Sequence, residues 1–434
     1  MCMGRFGRVR ILLAGAVIAV LVAACGTAAP RSAPAEVSVL RAVGVNREAP
    51  LPDAPVEATV DGMTAFGYNL YRVSANPGRN FVISPLSIAT AFAMARAGAR
   101  GDTAEQIDDV LRFPRDGVHA AFNAITGDLV TGSSPQPRPS PSAITTPGQS
   151  ALPVLNIANA IFVQEGVRLQ DEFLRILASQ YGAGARAVDF TSPEAIEIIN
   201  AWVREQTADR IKKLFDQLDP VTKAVLANAV YFKADWALSF DPGATTTESF
   251  TRADGSTVSA PMMHQESGLR YATSDTWRAV ELPYADGKIA MWVLVPTGQT
   301  TPAELLAPDT FADVATRLAP GLVDLSLPRW DFATDLDLIP PLQQLGMEVP
   351  FGAGADFSGM LPGVWIDQVV HEANITVDEE GTEAAAATGI VLPTSASPRP
   401  VTIRADHPFA FALVDTDKGT PLFIGHVADP TDSA

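Results

Sequence analysis

Hydrophobic residues recur along this chain in two alternating patterns, one typical of helices and one typical of strands. Apolar residues at spacings of three and four predict helices over four segments: Val56–Ala75, Pro85–Ala97, Asp171–Tyr181 and Pro193–Phe215. A further helix is predicted to start at Asp102-Thr103, with Glu105 behind them. About the first 75 residues after position 55 are therefore expected to be mostly helical.

From Val154 onward, short apolar runs separated by helical segments predict β-strands. The runs are Leu155–Val163, Ala224–Phe232, Ile289–Val295, Val323–Leu327 and Leu422–Val427. Because the last run lies close to the C-terminus, the core is expected to close on pairings between residues distant in sequence. The mixture predicts an α+β fold with large sheets.

The first residues of the chain are typical of an export signal. Three arginines precede an apolar run over residues 11–24, which is shorter than the roughly 18–20 residues that span a bilayer. The run ends Leu-Val-Ala-Ala-Cys25-Gly, which resembles the lipobox of bacterial lipoproteins, where the cysteine is diacylated. That resemblance implies a signal peptide over 1–24 and a protein anchored through Cys25 to the outer face of the membrane in the cell envelope. The alternative is an ordinary secretory signal whose small residues precede a cysteine.

Two stretches rich in alanine, proline and serine lack any apolar periodicity. Residues 25–56 are interpreted as a flexible, lipid-anchored tether. Residues 131–151 contain five prolines and are interpreted as a surface loop inserted into the folded domain. The domain itself is predicted to span 57–428, followed by a tail at 429–434.

Composition and missing motifs exclude several classes of function. The 31 Lys and Arg against 49 Asp and Glu give a net charge of −18, which repels phosphate backbones and argues against nucleic-acid binding. Cys2 and Cys25 are the only cysteines and no histidine pair has HxxxH spacing, so no metal site is expected. The sequence contains no GxSxG, GxxxxGK[ST], HExxH or GxGxxG motif. We therefore expect neither an enzyme nor a bound cofactor.

One segment fits neither a strand nor a stable helix. It runs Glu379-Glu-Gly-Thr-Glu-Ala-Ala-Ala-Ala-Thr-Gly389 and continues through a proline-containing stretch to Pro400. Glu379 and Glu380 are poor candidates for paired catalytic carboxylates, since adjacent strand residues point to opposite faces. The segment is either a plain surface loop or one that is exposed in one state and small enough to enter between two strands in another.

This segment resembles the reactive-centre loop of the serpins, the serine-protease-inhibitor family. Further motifs follow in the family's order: Asn80–Ile88, Gly98–Gln106, Leu226–Trp236, Pro261–Met263, Leu282–Tyr284, His371–Ala373, His407–Phe409 and Leu422–Gly425. The third of these departs from the family's pattern at Ala234 and Asp235. The resemblance covers roughly residues 57 to 428.

The resemblance implies a fold, a mechanism and a set of functional residues. The fold would have three β-sheets, surrounding helices and an exposed reactive-centre loop over 379–400. A serine protease would attack the loop and become acylated, and the freed hinge would insert as a new strand. The hinge residues would be Glu379, Gly381, Thr382, Glu383, Ala384, Ala385, Ala386, Ala387 and Thr388. Ser84, Ser87, Asn228 and His371 would form the polar shutter of the main sheet, and Trp236 would lie at the breach, where insertion begins. The inhibitor would act as a monomer.

The position of the reactive bond depends on which motif is used for counting. Counting forward from the hinge glycine in the family's pattern gives Ser395–Ala396, whereas counting back from Pro408 gives Ser397. The hinge count is preferred because the sheet fixes the length that can insert. Small residues at this bond predict an elastase-like or subtilisin-like target.

The sequence gives less support to a heparin-like cofactor and to two alternative functions. A heparin-like cofactor is not expected, because residues 117–130 hold no lysine or arginine. A non-inhibitory serpin would carry bulky or charged residues in the hinge, where this chain has four alanines. A lipid-anchored solute-binding protein is favoured only by the signal, the charge and the size of the chain.

Overall fold

The computed structural model describes residues 38–129, 153–218, 222–382 and 399–432. Several sequence-based predictions fall outside these residues: the signal peptide, the lipidated Cys25, the whole inserted loop at 131–151, hinge residues Glu383–Thr388 and the reactive bond at Ser395, Ala396 or Ser397. The described residues from 38 onward belong to one compact unit.

The described residues contain nine α-helices and sixteen strands. The helices are α1 Val56–Ser74, α2 Pro85–Arg96, α3 Gly101–Leu111, α4 Val118–Leu129, α5 Asp171–Tyr181, α6 Ala195–Gln206, α7 Pro302–Leu305, α8 Pro308–Arg317 and α9 Ile339–Gln344. The strands are β1 Ser38–Leu40, β2 Phe81–Ile83, β3 Val154–Gln164, β4 Ala185–Val188, β5 Ala224–Asp235, β6 Thr246–Thr251, β7 Thr257–Thr273, β8 Trp277–Pro283, β9 Ile289–Pro296, β10 Ala319–Pro328, β11 Trp330–Asp337, β12 Gln368–Val377, β13 Gly381–Thr382, β14 Val401–Arg404, β15 Phe409–Asp415 and β16 Pro421–Val427. The α+β prediction is confirmed.

Strands from distant parts of the chain form the first sheet, in the order β1-β4-β3-β5-β12-β11. The short strand β13 pairs with β5 off this path. At its centre, β5 and β12 are parallel neighbours, whereas β3 and β5 are antiparallel. All but one of the residues of β5 are buried, which fits its nearly continuous apolar sequence.

The second sheet has nine strands, in the order β14-β10-β7-β8-β9-β15-β16-β2, with β6 paired to β7. The family resemblance implies three sheets. Among the described residues, two of the three implied sheets are joined into one. The 17-residue strand β7 joins them, because it pairs with β6 and β10 and, at its C-terminal end, with β8. The C-terminal strand β16 pairs with β2 from early in the chain, as expected from its apolar sequence.

Helix α2 connects the two sheets through the core. Its cap is local: the Ser84 hydroxyl accepts a hydrogen bond from the Ser87 amide at 3.1 Å, and Pro85 occupies the first helical position. Every residue of the helix except Arg96 is buried. A helix buried on every side must be enclosed by other elements, and α2 contacts β3 and β5 of the first sheet, β16 of the second, and helices α1, α3 and α4.

The helix predicted over Pro193–Phe215 is shorter in the structure and ends at Gln206. The chain reverses at Ala208 and Asp209, which both have positive φ. The Asn200 side chain then accepts hydrogen bonds from the Leu214 and Phe215 amides and donates one to the Phe215 carbonyl. This asparagine holds the following residues in a non-helical conformation, which hydrophobic spacing alone does not reveal.

The tether predicted over residues 25–56 is wrong for its second half. Strand β1 pairs with β4 at the edge of the first sheet. Arg47 donates hydrogen bonds to the Asn123 side chain and carbonyl and to the Thr126 hydroxyl of α4. The Glu48 amide donates to the Ser179 carbonyl of α5. Polar contacts of this kind leave no apolar periodicity, which is why the sequence resembled a linker here.

Candidate functional site

The centre of the first sheet offers an incompletely paired slot between β5 and β12. The two strands are in register over Gln368–Ala373 and Val225–Val230. Within the described part of the chain, the pairing of β5 with β12 ends at Val230 and Ala373, although β5 continues to Asp235 and β12 to Val377. We call this end of the slot its top. The upper residues of β5 pair instead with β13, antiparallel, with Gly381 opposite Asp235 and Thr382 opposite Ala234.

The hinge therefore begins inside the sheet. The fully exposed hinge expected from the sequence is wrong for Glu379, Gly381 and Thr382, which are all buried. Gly381 is required at its position because a Cβ there would lie 2.2 Å from the carbonyl oxygen of Ala234. The chain turns tightly after β12, with the Asp378 amide donating to the Gly381 carbonyl at 3.0 Å.

Trp236 lies at the point where the hinge enters the sheet, as the resemblance implies. Its ring stacks on Tyr284 with centroids 4.5 Å apart, and its indole N–H donates to the Asp378 carbonyl at 3.0 Å. The Tyr284 hydroxyl hydrogen-bonds the Thr382 hydroxyl at 2.8 Å. Burial raises the pKa of Tyr284 well above its ordinary value, so the phenol stays neutral. The two aromatic rings thus hold the first inserted residues by neutral contacts.

An ion pair fixes the turn that precedes β13. The Arg329 Nε donates to Glu379 Oε1 at 2.8 Å, and the Arg329 Nη2 and the Thr245 hydroxyl also hydrogen-bond this oxygen. Glu379 is only 4% exposed. Burial raises the pKa of this carboxyl, but the hydrogen bonds from Arg329 and Thr245 lower it by more, so the pKa lies below its ordinary value. Glu379 therefore remains ionised and anchors the turn.

The four residues assigned to the shutter meet beneath the middle of the sheet. The Asn228 Nδ2 donates to the Ser87 Oγ at 2.7 Å, and the Asn228 Oδ1 contacts the His371 Nδ1. The Ser84 amide donates to the His371 Nε2 at 3.2 Å, and its hydroxyl donates to the Leu422 carbonyl at 2.6 Å. Strand register places Asn228 directly opposite His371, so the cluster bridges β5 and β12.

The shutter cluster is electrically neutral. Burial lowers the pKa of His371 to about 3. Since Nε2 accepts from the Ser84 amide, the ring proton lies on Nδ1 and is donated to Asn228. A single tautomer thus ties β12 to β5 and to the start of α2.

Sequence reasoning missed four residues that complete these two clusters. Asn159, on β3 opposite Asn228, donates to the Ser87 carbonyl at 3.0 Å and accepts from the Asn228 amide. Arg329, Thr245 and Tyr284 complete the entry point. Tyr284 ends the family motif Leu282–Tyr284, but the sequence indicates no role for it. The other three could be found only from strand pairing, because each lies far from its partner in sequence.

Other kinds of site are not built by the described residues. In 38–129, 153–218, 222–382 and 399–432, no three His, Cys, Asp or Glu side chains group as metal ligands. Among the same residues, no helix has the length and apolar character needed to cross a membrane.

Comparison with known proteins gives one consistent result. The family model described as "Serpin (serine protease inhibitor)" matches residues 61–430. A serpin-like protein of Thermococcus kodakarensis is 36% identical over 391 residues, 88% of each chain. Iripin-2 of Ixodes ricinus is 34% identical and covers 83% of this chain and 91% of its own.

Solved structures agree with this result. The thermophilic serpin tengpin in its native state is similar with a TM-score of 0.78 at 25% identity, over 91% of this chain and all of that one. Serpin48 of the insect Tenebrio molitor has a TM-score of 0.73 at 30% identity, over 87% of this chain and 99% of its own.

Proposed function

This chain belongs to the serpin family of serine protease inhibitors, and we propose that it traps its target covalently by inserting its reactive-centre loop into the first sheet. The pairing of β13 with the top of β5 is the observation that carries this proposal. Because β13 runs antiparallel to β5, the loop residues that follow it could continue the same ladder of backbone hydrogen bonds along β5.

Continuing that register one residue for one residue gives the extent of the inserted strand. Position 388 would come opposite Asn228, at the shutter, and position 392 opposite Ala224, the first residue of β5. Pro393 would fall just beyond the end of β5, so its missing N–H would not interrupt the ladder.

The alternation of side chains along the loop supports insertion. Residues two apart share a face, so Ala384, Ala386 and Thr388 would follow the buried Thr382 toward the core. Glu383 would face the opposite side and would not need to enter the interior. Small residues at every inward position fit a strand that must pass between two existing ones, and they argue against a non-inhibitory serpin.

The expected gain in hydrogen bonding is sufficient for mechanical work on the protease. About ten further inserted residues, each adding roughly 0.5–1.5 kcal/mol net, give on the order of 10 kcal/mol. That is comparable with the whole stability of a typical domain. The slot between β5 and β12 is the part of the sheet that this ladder would fill.

The proposed target is an elastase-like or subtilisin-like protease that cleaves Ser395–Ala396, with Ser397 as the alternative. The proposal includes export and lipidation at Cys25, and action as a monomer with one loop per target. A test of the anchor is the partition of the full chain into a detergent phase after expression in a bacterium that processes lipoproteins. Cys25→Ser should move the protein to the aqueous phase, and unchanged partition would contradict lipidation.

The test of the inhibitory function is incubation of the full chain with elastase-, subtilisin-, trypsin- and chymotrypsin-like proteases. A complex that survives a denaturing gel is expected with at least one of the first two. The matched control is the same protease with its catalytic serine blocked, which should give no such band. Loop cleavage without any complex would support the non-inhibitory alternative.

Mass spectrometry of the peptide released from the complex identifies the bond. A fragment starting at Ala396 supports the hinge count, and one starting at Pro398 supports Ser397. A fragment starting after Ile390 or Leu392 would indicate a chymotrypsin-like target and would contradict the count.

A further inference from the structure

A cavity of about 480 Å³ lies at the edge of the first sheet, away from the hinge. It is enclosed by β3 and β4, by helices α2, α4, α5 and α6, and by the N-terminal segment that includes β1. This volume falls in the usual range of small-molecule sites. Its apolar lining includes Val39, Met94, Ile157 and Ala183.

The charge of the cavity is opposite to that of the protein. Three arginines line it, Arg41, Arg47 and Arg186, against one carboxylate, Glu205. The chain as a whole has a net charge of −18. Arg47 is hydrogen-bonded to α4, so it contributes charge to the cavity. Arg41 and Arg186 form no salt bridge within 4 Å among the described residues, although Arg186 feels the charge of Glu205.

Arg186 and Trp202 form one part of the wall. The Arg186 guanidinium lies over the Trp202 ring, 5.0 Å from its centroid. Trp202 is only 7% exposed, and its indole N–H has no hydrogen-bond partner among the described residues. That N–H is itself buried, so Trp202 contributes an aromatic surface rather than a donor to the cavity wall. Burial also lowers the pKa of Arg186, so a neighbouring anion would offset the loss of solvation.

We propose that this cavity binds a small amphipathic carboxylate, with the carboxylate at Arg186 and the apolar body against the aliphatic side chains of the lining. Arginine pairs well with carboxylates because its planar donors match both oxygens. The apolar lining would hold an alkyl chain or a similar body. This assigns a ligand class to the cavity that is independent of protease binding.

The site also contacts the shutter, and this part of the inference rests on the proposed function. Asn159 lines the cavity and hydrogen-bonds both Ser87 and Asn228. Insertion requires β5 and its neighbour β3 to separate from β12. A ligand that fits the cavity of the closed sheet would favour that arrangement and slow insertion, by as much as its affinity differs between the two states.

The experiment is calorimetric titration of the full chain with dodecanoate below its micelle concentration, with dodecanol as the neutral control. Saturable binding of dodecanoate is expected. Arg186→Met should weaken it by about 10- to 100-fold because a charge-assisted contact is lost. Arg115→Met, an exposed position outside the cavity, should bind as the parent does.

The outcomes separate the claims. Absence of saturable binding, equal affinity for dodecanol, or unchanged affinity in Arg186→Met would overturn the carboxylate site. Ala183→Leu, which fills the cavity, should remove binding while the protein stays folded by circular dichroism. If binding occurs but the rate of complex formation with the protease does not fall, the link to the shutter is overturned and the site stands. If no protease forms a complex, the proposed function fails while the titration still reports the site.

Discussion

The top and the middle of the slot between β5 and β12 are held closed in different ways. At the top, the loop itself occupies the sheet, and a charged contact between Glu379 and Arg329 fixes the turn. Arg329 is 43% exposed, so this pair is partly screened by solvent. In the middle, Asn228 and His371 are fully buried and neutral.

This difference assigns distinct tasks to the two regions. In the proposed mechanism, the top has already made its first two strand pairs, so further insertion there would need only the chain that follows. The middle would have to break the Asn228–His371 hydrogen bond between β5 and β12, and the Asn228–Ser87 bond to α2, before a strand could pass. We infer that the middle sets the barrier to insertion and that the top sets its starting register.

The largest effect is expected from Thr382→Arg. The Thr382 side chain is buried against the Tyr284 hydroxyl, and an arginine there would place an unpaired charge in the core. Complex formation should fall below detection and the protein should become a substrate, as judged by denaturing gels. The matched control is Glu383→Arg, where the side chain would face away from the core and the complex should persist. Equal complex formation by both variants would contradict insertion from this register.

Cleavage of the loop between residues 390 and 397 should give the next largest effect. The freed strand would complete the ladder along β5, and the melting temperature should rise on the order of 10–20 °C. The measurement is calorimetry of intact and cleaved protein. A smaller rise in cleaved Thr382→Arg is the control. An unchanged or lower melting temperature in the parent would indicate that the slot stays closed.

The sequence predicts single elements well and pairings poorly. Helix α5 begins and ends at the residues predicted, because its apolar spacing is uninterrupted. The hinge and shutter residues could be named only through the resemblance, since nothing local to Asn228 indicates His371. Arg47 and Asn200 were missed because a polar side chain gives no periodic signal, although each determines how a segment of the backbone packs. Asn159 could be identified only from the strand register, which places it opposite Asn228.

Substituting one residue in each region should give losses of stability of different size. Asn228→Ala leaves His371 and Ser87 without their partner in the core and should lower the free energy of unfolding by about 3 kcal/mol. Glu379→Gln keeps the shape of the turn and should cost only about 1 kcal/mol, with an effect that shrinks in high salt because Arg329 is exposed. Denaturant unfolding at two salt concentrations measures both. Asn374→Ala, also on β12, is the control for the loss of an asparagine. Equal losses in the two regions would contradict the assignment of the barrier to the middle.

The smallest effect expected is on the pH dependence of stability. Burial lowers the pKa of His371 to about 3, and those of His119 and His426 to about 4, from an ordinary value of 6.5. Below that value the unfolded chain binds protons that the folded protein does not. The stability from these histidines is therefore complete above pH 6.5 and is lost as the pH falls toward 3. Glu372 acts in the opposite sense: its pKa is raised to about 7 by burial and by Asp335, so its contribution is present below pH 4.5 and lost as the pH rises through 7.

Burial also raises the pKa of Asp335 and that of Asp415, so both oppose the histidines as Glu372 does. The contribution of His371 between about pH 4.5 and 6 is therefore isolated by substitution. His371→Gln removes one of those protons and should reduce the slope of unfolding free energy against pH by about 1.4 kcal/mol per pH unit. The measurement is denaturant unfolding of both proteins across that range. The control is Asn374→Ala, which titrates nothing, because the partly buried His264 contacts Glu248 and its substitution would disturb that pair. An unchanged slope in His371→Gln would mean that His371 already takes up a proton in the folded protein. The shutter would then be charged like the top of the slot, and its neutrality would not distinguish the two regions.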